Sequence, residues 1–511
     1  MSANPAERSA NRQIFDLVVI GGGVNGVWVA RDAAGRGLSV LLCEQDDLAS
    51  ATSSASSKLI HGGLRYLEQR QFRLVRESLR EREVLRENAH HLIHPMQFVL
   101  PVGADSRPAW MLKLGLWIYD RLGGTSSMPR SAAVDLGSAE FDGILQNEFV
   151  EGFSYSDCWV DDARYVVLNA VDAARRGAKI RTRTKCTAAR RESNRWRVTL
   201  RGMDGKDEEV RCRALVNAAG PWVSSVLENV VGQNTANAIG LVRGSHIVVP
   251  QLYDAAHAHI LQSPDGRVVF TIPFEDRFTM VGTTDVTMDV AFTADWRPPS
   301  IDADETAYLC DVVNGYFRKQ TSAADVVWSF SGVRPLYDDG AGSPSRITRD
   351  YVIESDAPKG EAPLISLFGG KVTTARKLAE AVMSKLRGRF LNMRDPWTKE
   401  ALLPGGEMDD FPYFADELVG DYPAFDEVWL RAIARRHGTR SRAIIDTARK
   451  QTDLGWNFGG GLYAAEVDWM MAEEWAMEPD DILWRRTKCG LAVDAQGRAS
   501  LADYMSRSRS G

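Results

Sequence analysis

Three glycines near the N-terminus, Gly21, Gly23 and Gly26, have the G-x-G-x-x-G spacing of a dinucleotide-binding turn. Glycine allows the tight turn, the close approach of the backbone to a pyrophosphate and the packing of helix on strand. Glu44 follows about twenty residues later, where a carboxylate can accept hydrogen bonds from ribose hydroxyls. We therefore predict a dinucleotide site here, and it includes Gly22 and Asn25 of the same turn.

Cationic and imidazole side chains farther along the chain could bind a phosphate and move a proton. Arg334 and Arg349 end strand-like runs or begin turns, and Lys371 follows a glycine pair. Arginine binds phosphate bidentately and lysine acts as a point charge, although an isolated arginine is more commonly a surface ion-pair partner. His246 has the ordinary pKa of a base that works near neutrality. It could equally do no more than hydrogen-bond a ligand.

The elements that must position these groups are readable as apolar runs separated by glycine turns. The segments FDLVVI, GGGVNG, VWVARDAAGRG and LSVLLCE predict strand, turn, helix and strand. A second such unit, LISLFGGKVTTARKLAEAV, places Gly369 and Gly370 at a helix start, and we expect it to return to the first domain. Between residues 239 and 335 the runs alternate as in an antiparallel sheet. The chain after Pro396 is predicted to be helical.

A loop rich in serine and threonine, Ser50 to Ser57, favours FAD over NAD. Such a stretch can be a flexible linker, but here it leads into a His-Gly-Gly turn that suits a backbone pressed against a flat ring. A permanently held flavin also needs polar contacts to its ribityl chain and second phosphate. The predicted cofactor contacts in this region are Thr52, Ser53, Ser54, Ser57, Lys58, His61, Gly62 and Gly63.

Composition excludes several other classes of protein. With 511 residues, 44% of them hydrophobic and 25% charged, the chain is typical of a globular protein of about three domains. A net charge of -6 lacks the basic excess of a nucleic-acid-binding protein. Six cysteines without a C-x-x-C pair predict a reducing, cytoplasmic location and no metal site. No signal peptide or spanning segment is indicated, so membrane contact is expected to be peripheral.

Two stretches could make such a contact. The run from Trp110 to Tyr119 is apolar and aromatic, and it is flanked by basic residues, as in an interfacial helix. Core helices have a similar composition, so this pattern leaves both interpretations open. The group Arg485, Arg486 and Lys488 is a second possibility.

Nine ordered motifs resemble those of the bacterial, respiratory, FAD-dependent glycerol-3-phosphate dehydrogenases: FDLVVIGGGVNG, ATSSASSKLIHGGLRYLE, YSDCWVDDAR, NAAGPW, RGSHIVVP, GTTD, SGVRPLYDD, ITRDY and FGGKVTTARKLAE. The resemblance implies an α/β fold, with a Rossmann-like FAD-binding domain of the glycine-oxidase type, a β-rich cap and an all-α C-terminal domain. It implies hydride transfer from C2 of sn-glycerol 3-phosphate to FAD N5, giving dihydroxyacetone phosphate. Membrane ubiquinone or menaquinone would take the electrons, at the inner membrane surface, from a homodimer.

Pattern and resemblance together divide the chain into three domains and assign residues to the substrate. Residues 1–90, 150–235 and 345–395 are predicted to form the FAD domain, 91–149 and 236–344 the cap, and 396–511 the helical domain. The resemblance implies that the substrate is bound by Arg65, Tyr66, Arg334, Arg349 and Lys371. It favours His246, with Arg334 beside it, as the catalytic proton acceptor, and it leaves Lys371, Gly369 and Gly370 as further cofactor contacts.

Other functions remain possible from the residues alone. A soluble, oxygen-using glycerol-3-phosphate oxidase, or a related FAD amine or amino-acid oxidase, would share most of these motifs, although an apolar surface patch favours quinone. An NAD-linked dehydrogenase is disfavoured by the second glycine turn. A non-catalytic flavoprotein is disfavoured because Arg334, Arg349, Lys371 and His246 are all present. If Arg349 binds the phosphate, Arg349→Ala should raise KM through the loss of about 1.5–3 kcal/mol.

Overall fold

Two β-sheets and a group of C-terminal helices make up the part of the chain that the computed structural model describes, residues 14–104, 106–124, 126–233, 239–288, 300–337 and 350–510. Sheet A has eight strands among these residues: β1 (Ile14–Ile20), β2 (Val40–Cys43), β7 (Lys179–Arg181), β8 (Lys185–Glu192), β9 (Arg195–Arg201), β10 (Asp207–Asn217), β17 (Val352–Asp356) and β18 (Leu364–Phe368). Sheet B has ten: β3 (Leu59–Ile60), β4 (Ile93–Pro101), β5 (Ala132–Asp135), β6 (Glu151–Val160), β11 (Ile239–Pro250), β12 (Ala258–Gln262), β13 (Val268–Phe274), β14 (Phe278–Gly282), β15 (Val286–Met288) and β16 (Trp328–Tyr337).

The described helices longer than three residues, apart from isolated helical turns, connect or cover these sheets and form the C-terminal part. They are α1 (Val24–Gly35), α2 (Phe72–Asn88), α3 (Ala109–Leu122), α4 (Asp162–Arg175), α5 (Ala303–Tyr316), α6 (Ala375–Leu386), α7 (Phe411–Asp421), α8 (Glu427–His437), α9 (Ser441–Ile445), α10 (Ala464–Glu473) and α11 (Ala495–Ser510). Two π-helical turns, Val226–Val231 and Asp481–Arg486, lie among them.

Sheet A has a parallel centre in the order β18, β10, β1, β2, β7. Strands β2 and β18 and the last four residues of β1 are buried and almost entirely apolar, as expected when helices cover a parallel sheet. Helices α1, α4 and α6 share one buried apolar cluster with the sheet. The strand, turn, helix and strand predicted from Phe15 onward are therefore confirmed, and the carboxyl ends of β1, β10 and β18 lie side by side at one edge. Ligands bind at that edge in folds of this kind.

Sheet B is mostly antiparallel and forms the cap. Its longest pairing joins β11 to β16 in register from Ile239 with Tyr337 to Val248 with Trp328. One face packs against α5, whose start is fixed by a capping box between Asp302 and Glu305. The other face packs against α3. Strand β16 thus runs along the boundary between cap and flavin domain.

The sequence-based domain boundaries need correction at two strands. Strands β3 and β6 fall within 1–90 and 150–235, the ranges predicted for the FAD domain, yet β3 pairs with β6, and β6 pairs with β4 in sheet B. The sequence of a strand does not show which sheet it joins, because its pairing partners lie far along the chain.

Buried ion pairs join the helical C-terminal part to the rest of the chain. Arg164 on α4 pairs with Glu474, and both side chains are fully buried. Asp161 caps the start of α4 by accepting a hydrogen bond from the Arg164 backbone N–H at 3.1 Å, as its position before an apolar run predicts. Among the described helices, none combines the length and the apolar character needed to cross a bilayer.

Candidate active site

A cavity of about 820 Å³ lies between the two sheets and is lined by residues from both. Its walls include the glycine turns after β1 and β18, the serine-rich loop, the strand β16 and one side of α3. That size is at the upper end of small-molecule and cofactor sites. The motifs predicted to carry chemistry therefore converge on one space.

The first glycine turn is shaped by backbone contacts that exclude any side chain. Gly21 has a φ of +112°, and a Cβ on Gly26 would lie 2.0 Å from the Gly21 carbonyl oxygen. The Gly22 N–H donates to Glu44 Oε2 at 2.7 Å, and the Asp46 N–H donates to Oε1 at 2.9 Å. Burial raises the pKa of Glu44 to about 6. This carboxylate is held at the cavity wall, where it suits ribose hydroxyls.

The N-terminus of α1 faces the same cavity and suits a pyrophosphate. Its first turn has no acidic residue, and its orphan N–H groups carry a partial positive charge. The Val24 N–H donates to Ser53 Oγ at 3.0 Å. The Asn25 amide donates to the Gly369 carbonyl at 3.0 Å, and Gly370 has a φ of +96° beside it. The two glycine turns are thus adjacent, as predicted.

Most of the serine-rich loop and the following turn lie where predicted. Thr52, Ser53, Ser57, His61 and Gly63 line the cavity. Thr52 Oγ1 also donates to the Val333 carbonyl at 2.8 Å, which joins the loop to β16. Four other predicted cofactor contacts do not line the cavity and belong to the backbone layer behind its wall. They are Gly22, Gly26, Ser54 and Gly62.

The placement of Lys58 corrects one predicted cofactor contact. Its side chain is fully buried and does not line the cavity. The Lys58 ammonium donates to Asp162 Oδ1 at 2.7 Å and to the Ser54 carbonyl at 3.0 Å. A buried ammonium requires a counter-charge, and Asp162, the first residue of α4, supplies it. Lys58 therefore supports the loop and does not face the ligand.

The two candidate histidines differ in their access to the cavity. His61 lines the cavity, and burial lowers its pKa to about 4. His246 is 2% exposed and does not line it; its Nε2 lies 2.9 Å from Ser57 Oγ, and its ring stacks on Phe330. Burial, with Arg334 and Lys58 nearby, holds the pKa of His246 well below its usual range. Both rings are neutral at pH 7, and His246 contacts Ser57, which lines the cavity.

Four of the five predicted substrate residues line one end of the cavity. They are Arg65, Tyr66, Arg334 and Lys371. Lys371 Nζ lies 3.7 Å from the centre of the Tyr66 ring, and an Arg334 nitrogen lies 3.2 Å from Thr283 Oγ1. The fifth, Arg349, lies outside the described residues. Cationic groups from three distant segments therefore meet beside the second glycine turn.

Several lining residues were missed by sequence reasoning. Arg107 donates to Gln262 Oε1 at 2.8 Å and to Glu68 Oε2 at 3.0 Å, and all three side chains lie along the cavity. Thr283 and Asp285 of the GTTD motif, which had no predicted site role, also line it. Residues 184–187 line the same cavity. No local pattern distinguishes these positions, because only the packing of separate segments brings them to the cavity.

The second predicted membrane group is contradicted by burial. Arg486 is fully buried and Lys488 is 5% exposed. Arg485 and Arg486 both pair with Asp47, and Lys488 pairs with Asp161. By contrast, α3 exposes the side chains of Trp110, Met111, Leu114 and Trp117, so the first predicted stretch retains an apolar surface.

Comparison with known proteins gives consistent matches over the whole chain. A profile described as "FAD dependent oxidoreductase" matches residues 16–376, and one described as "C-terminal domain of alpha-glycerophosphate oxidase" matches residues 396–507. A Pseudomonas aeruginosa protein named glycerol-3-phosphate dehydrogenase is 50% identical over 96% of this chain and 95% of its own. A Brucella abortus protein named D-erythritol 1-phosphate dehydrogenase is 47% identical, covering 97% and 98%.

Solved structures match the same architecture. The glycerol-3-phosphate dehydrogenase of Bacillus halodurans, complexed with FAD, has a TM-score of 0.74 and 26% identity, covering 99% of this chain and 92% of that one. Glycine oxidase from Geobacillus kaustophilus has a TM-score of 0.53 at 18% identity, covering 73% and 95%. At that identity the second match concerns the fold alone.

Proposed function

The chain belongs to the FAD-dependent glycerol-3-phosphate dehydrogenases, and on that premise we propose how its residues oxidise sn-glycerol 3-phosphate to dihydroxyacetone phosphate. The predictions of family, fold class and FAD are confirmed, and the oxidase alternative is not supported. FAD, when bound, supplies the acceptor for the hydride on C2. Membrane quinone as the final acceptor, peripheral membrane contact and a homodimer are further parts of the proposal.

The residues around the cavity fit FAD. A Cβ on Gly23 would lie 3.0 Å from Ser53 Oγ, and one on Gly370 would lie 3.0 Å from Asn25. Both turns therefore keep open the space that a pyrophosphate needs. The Glu44 carboxylate suits the ribose, and Ser57, His61 and Gly63 lie between the glycine turns and the substrate end.

The observation that carries the substrate assignment is the group of cations at one end of the cavity. Arg65, Arg334 and Lys371 come from three segments and line the same space, and charge-assisted contacts of this kind hold a phosphate dianion. Tyr66 fixes the position of Lys371 through its ring. We place the substrate phosphate here, with Arg349 as a further proposed contact, so that C2 is directed toward the His-Gly-Gly turn at residues 61–63, where the flavin ring is expected.

Two histidines are candidates for the proton of the C2 hydroxyl. His246 can act only through Ser57, which would pass its hydroxyl proton to His246 Nε2 while accepting the substrate proton at Oγ. His61 lines the cavity and could accept the proton directly. Both are neutral near pH 7, as a base requires. Replacing each by glutamine and measuring flavin reduction under anaerobic conditions separates them, because the residue that accepts the proton should account for the larger loss.

An anaerobic titration tests the reaction as a whole. We expect glycerol 3-phosphate to bleach the flavin absorbance and a soluble quinone to restore it. D-erythritol 1-phosphate is added in a parallel titration as an alternative substrate. It is chosen because the Brucella abortus relative, which is 47% identical to this chain, is named D-erythritol 1-phosphate dehydrogenase. Bleaching by the erythritol phosphate alone would overturn the substrate assignment. Recovery with oxygen but not with quinone would overturn the acceptor assignment.

Helix α3 supports the proposal that the acceptor is a membrane quinone. Trp110, Leu114 and Trp117 are half or more exposed, and Leu112, Leu114 and Ile118 of the same helix line the cavity. The Tyr119 hydroxyl accepts from the Gly62 N–H at 2.8 Å, which ties the helix to the turn beside the predicted flavin ring. An apolar surface and the cavity are thus joined by one helix, as a lipid-soluble acceptor requires.

Two serine substitutions in α3 test this contact. Trp110→Ser with Trp117→Ser should lower binding to anionic vesicles by at least about tenfold, because two large apolar side chains are lost. Trp456→Ser is the matched control, since Trp456 is 64% exposed and Trp110 is 67% exposed. Turnover with a water-soluble dye should be unchanged. Equal vesicle binding by all three proteins would contradict the assignment.

The homodimer is proposed from the family resemblance alone. Light scattering of the FAD-loaded protein in detergent tests it. A mass of one chain, 56.6 kDa, would contradict it.

A further inference from the structure

The segment from Trp484 to Lys488 belongs to the helical C-terminal part, yet its alternate side chains contact the flavin-binding domain and the cap. Trp484 contacts cap strand β16, Arg486 contacts Asp47 and Lys488 contacts Asp161. Arg486 and Lys488 are buried, although charged residues of this kind are normally on the surface. The segment therefore has a role beyond the folding of its own domain.

Arg486 holds one end of the flavin loop, here defined as residues 44–58. It makes a bidentate pair with Asp47, at 2.8 Å to Oδ1, and Arg485 Nε donates to Asp47 Oδ2 at 2.6 Å. Asp47 is 1% exposed. Its carbonyl accepts from the Ser50 N–H at 3.2 Å, within the stretch that carries Glu44. The position of Asp47 thus sets the wall that suits the ribose.

Lys488 holds the other end of the loop. Its ammonium lies 3.2 Å and 3.3 Å from the two carboxylate oxygens of Asp161. The next residue, Asp162, accepts from Ser56 Oγ at 2.7 Å and from Lys58 Nζ at 2.7 Å. The acidic pair before α4 therefore connects Lys488 to the loop residues that flank Ser57.

Trp484 contacts the cap strand that the middle of the loop touches. Its ring stacks on Trp328 at 4.5 Å with an interplanar angle of 17°. Trp328 begins β16, whose Val333 carbonyl accepts from Thr52 in the loop. One short segment therefore contacts one end of the flavin loop directly, the other end through Asp161 and Asp162, and the strand against which the middle of the loop lies.

We propose that residues 484–488 are the positioning element of the flavin loop, so that the helical domain sets the affinity of the protein for FAD. A loop that is already ordered loses less conformational entropy when it binds a ligand. The ion pairs at Asp47, the connection through Asp161 and Asp162 at the other end, and the ring stacked on β16 order this loop before FAD arrives. The proposal rests on the flavin site of the proposed function but not on its substrate.

Two buried carboxylates provide a matched test. Asp47 is paired with Arg485 and Arg486, whereas Glu466 is paired with Arg436 and His437 and lies wholly within the helical domain. We expect Asp47→Asn to weaken FAD binding by about tenfold or more, the scale of one lost charge-assisted contact. Glu466→Gln should change FAD affinity by less than about twofold, although it also removes the charge of a fully buried, paired carboxylate.

The measurement uses full-length protein freed of FAD, titrated with FAD while flavin fluorescence is recorded, and the Tm of each unliganded variant. The expected result is a similar fall in Tm for both variants with weaker FAD binding in Asp47→Asn only. Equal FAD affinity in Asp47→Asn and the parent protein would overturn the proposal. So would equal weakening in both variants, because a general loss of stability would then explain it.

A second variant covers the case in which Asp47→Asn does not fold. Trp484→Leu keeps an apolar side chain and removes the stack on Trp328, and we expect it to weaken FAD binding with an altered visible circular dichroism of the bound flavin. Unchanged affinity and spectrum would overturn the proposal. Failure of the parent protein itself to bind FAD would instead overturn the flavin site of the proposed function.

Discussion

The two ends of the cavity are built in different ways. The end near β1 is made of backbone groups, glycines and one carboxylate, within about thirty residues of chain and a second short turn. The end near β16 is made of long cationic side chains from segments that are far apart in sequence. In the proposed function the first end binds FAD by shape, because Cβ atoms are excluded there. The second end binds the substrate by charge.

This difference predicts whether a substitution should affect the binding of cofactor or the binding of substrate. A change at the glycine end alters the backbone and should remove the cofactor. A change at the cationic end leaves the backbone in place and should weaken only the substrate. The predictions below test that separation, from the largest effect to the smallest.

The largest effect is expected at Gly26. In Gly26→Val the new Cβ would lie 2.0 Å from the Gly21 carbonyl oxygen, so the turn and α1 must separate, at a cost of at least about 3 kcal/mol. We expect protein that is purified without flavin and has a lowered Tm. Gly315→Val is the control, because a Cβ there meets no atom within 4 Å. Full flavin content in Gly26→Val would contradict the account of this turn.

At the cationic end, Lys371→Met should leave flavin content unchanged and raise KM for glycerol 3-phosphate by about 10- to 100-fold. The reason is the loss of one charged phosphate contact, worth about 1.5–3 kcal/mol. Lys377→Met, in α6, is the control, since Lys377 pairs with Glu380 at 2.9 Å. Steady-state kinetics measure KM, and the flavin absorbance measures flavin content. Loss of flavin would assign Lys371 to the cofactor end and would contradict the separation between the two ends.

Glu44 should make cofactor binding depend on pH. Ribose hydroxyls donate to the ionised carboxylate, so FAD affinity should fall by about tenfold from pH 7 to pH 5, below the Glu44 pKa of about 6. In the protein without FAD, the contribution of Glu44 to folding stability depends on pH in the opposite direction. Because the folded pKa lies above the ordinary value of 4.5, this contribution to stability is present below that value and is lost as the pH rises through about 6.

Titration of Glu44→Gln with FAD at several pH values checks this dependence. The variant should bind with an affinity that is nearly flat between pH 5 and pH 7. A parent protein with a flat profile would show that the Glu44 carboxylate does not meet the ribose.

The smallest effect is expected for a glycine outside the cavity. Gly315→Ala lies in α5, in open space, and should stabilise the protein by about 0.5–1 kcal/mol through helix propensity. Flavin content and kinetics should not change, as measured with the Tm. A loss of activity would show that the division into two ends is incomplete.

The first end of the cavity could be predicted from sequence because its residues act within short motifs. The spacing of Gly21, Gly23 and Gly26 requires a particular backbone, and the structure shows that backbone with Glu44 bonded to the turn. The second glycine turn was predicted to return to the first domain, and Asn25 bonds to it across 344 positions of chain. Local steric constraints decide such features, and these constraints follow directly from the residue types in the sequence.

Other features were decided only by the tertiary structure. The sequence does not show that Lys58 is buried against Asp162, that His246 lies behind Ser57, or that Arg107 and Gln262 meet at the cavity. Nor does it separate Arg486, a buried partner of Asp47, from a cation at a membrane surface. The identity of a charged residue is the same in a buried ion pair and at a membrane surface, so the residue type alone does not distinguish the two. Whether it meets water, a ligand or a counter-charge depends on which distant segment packs against it, because long-range packing decides its surroundings.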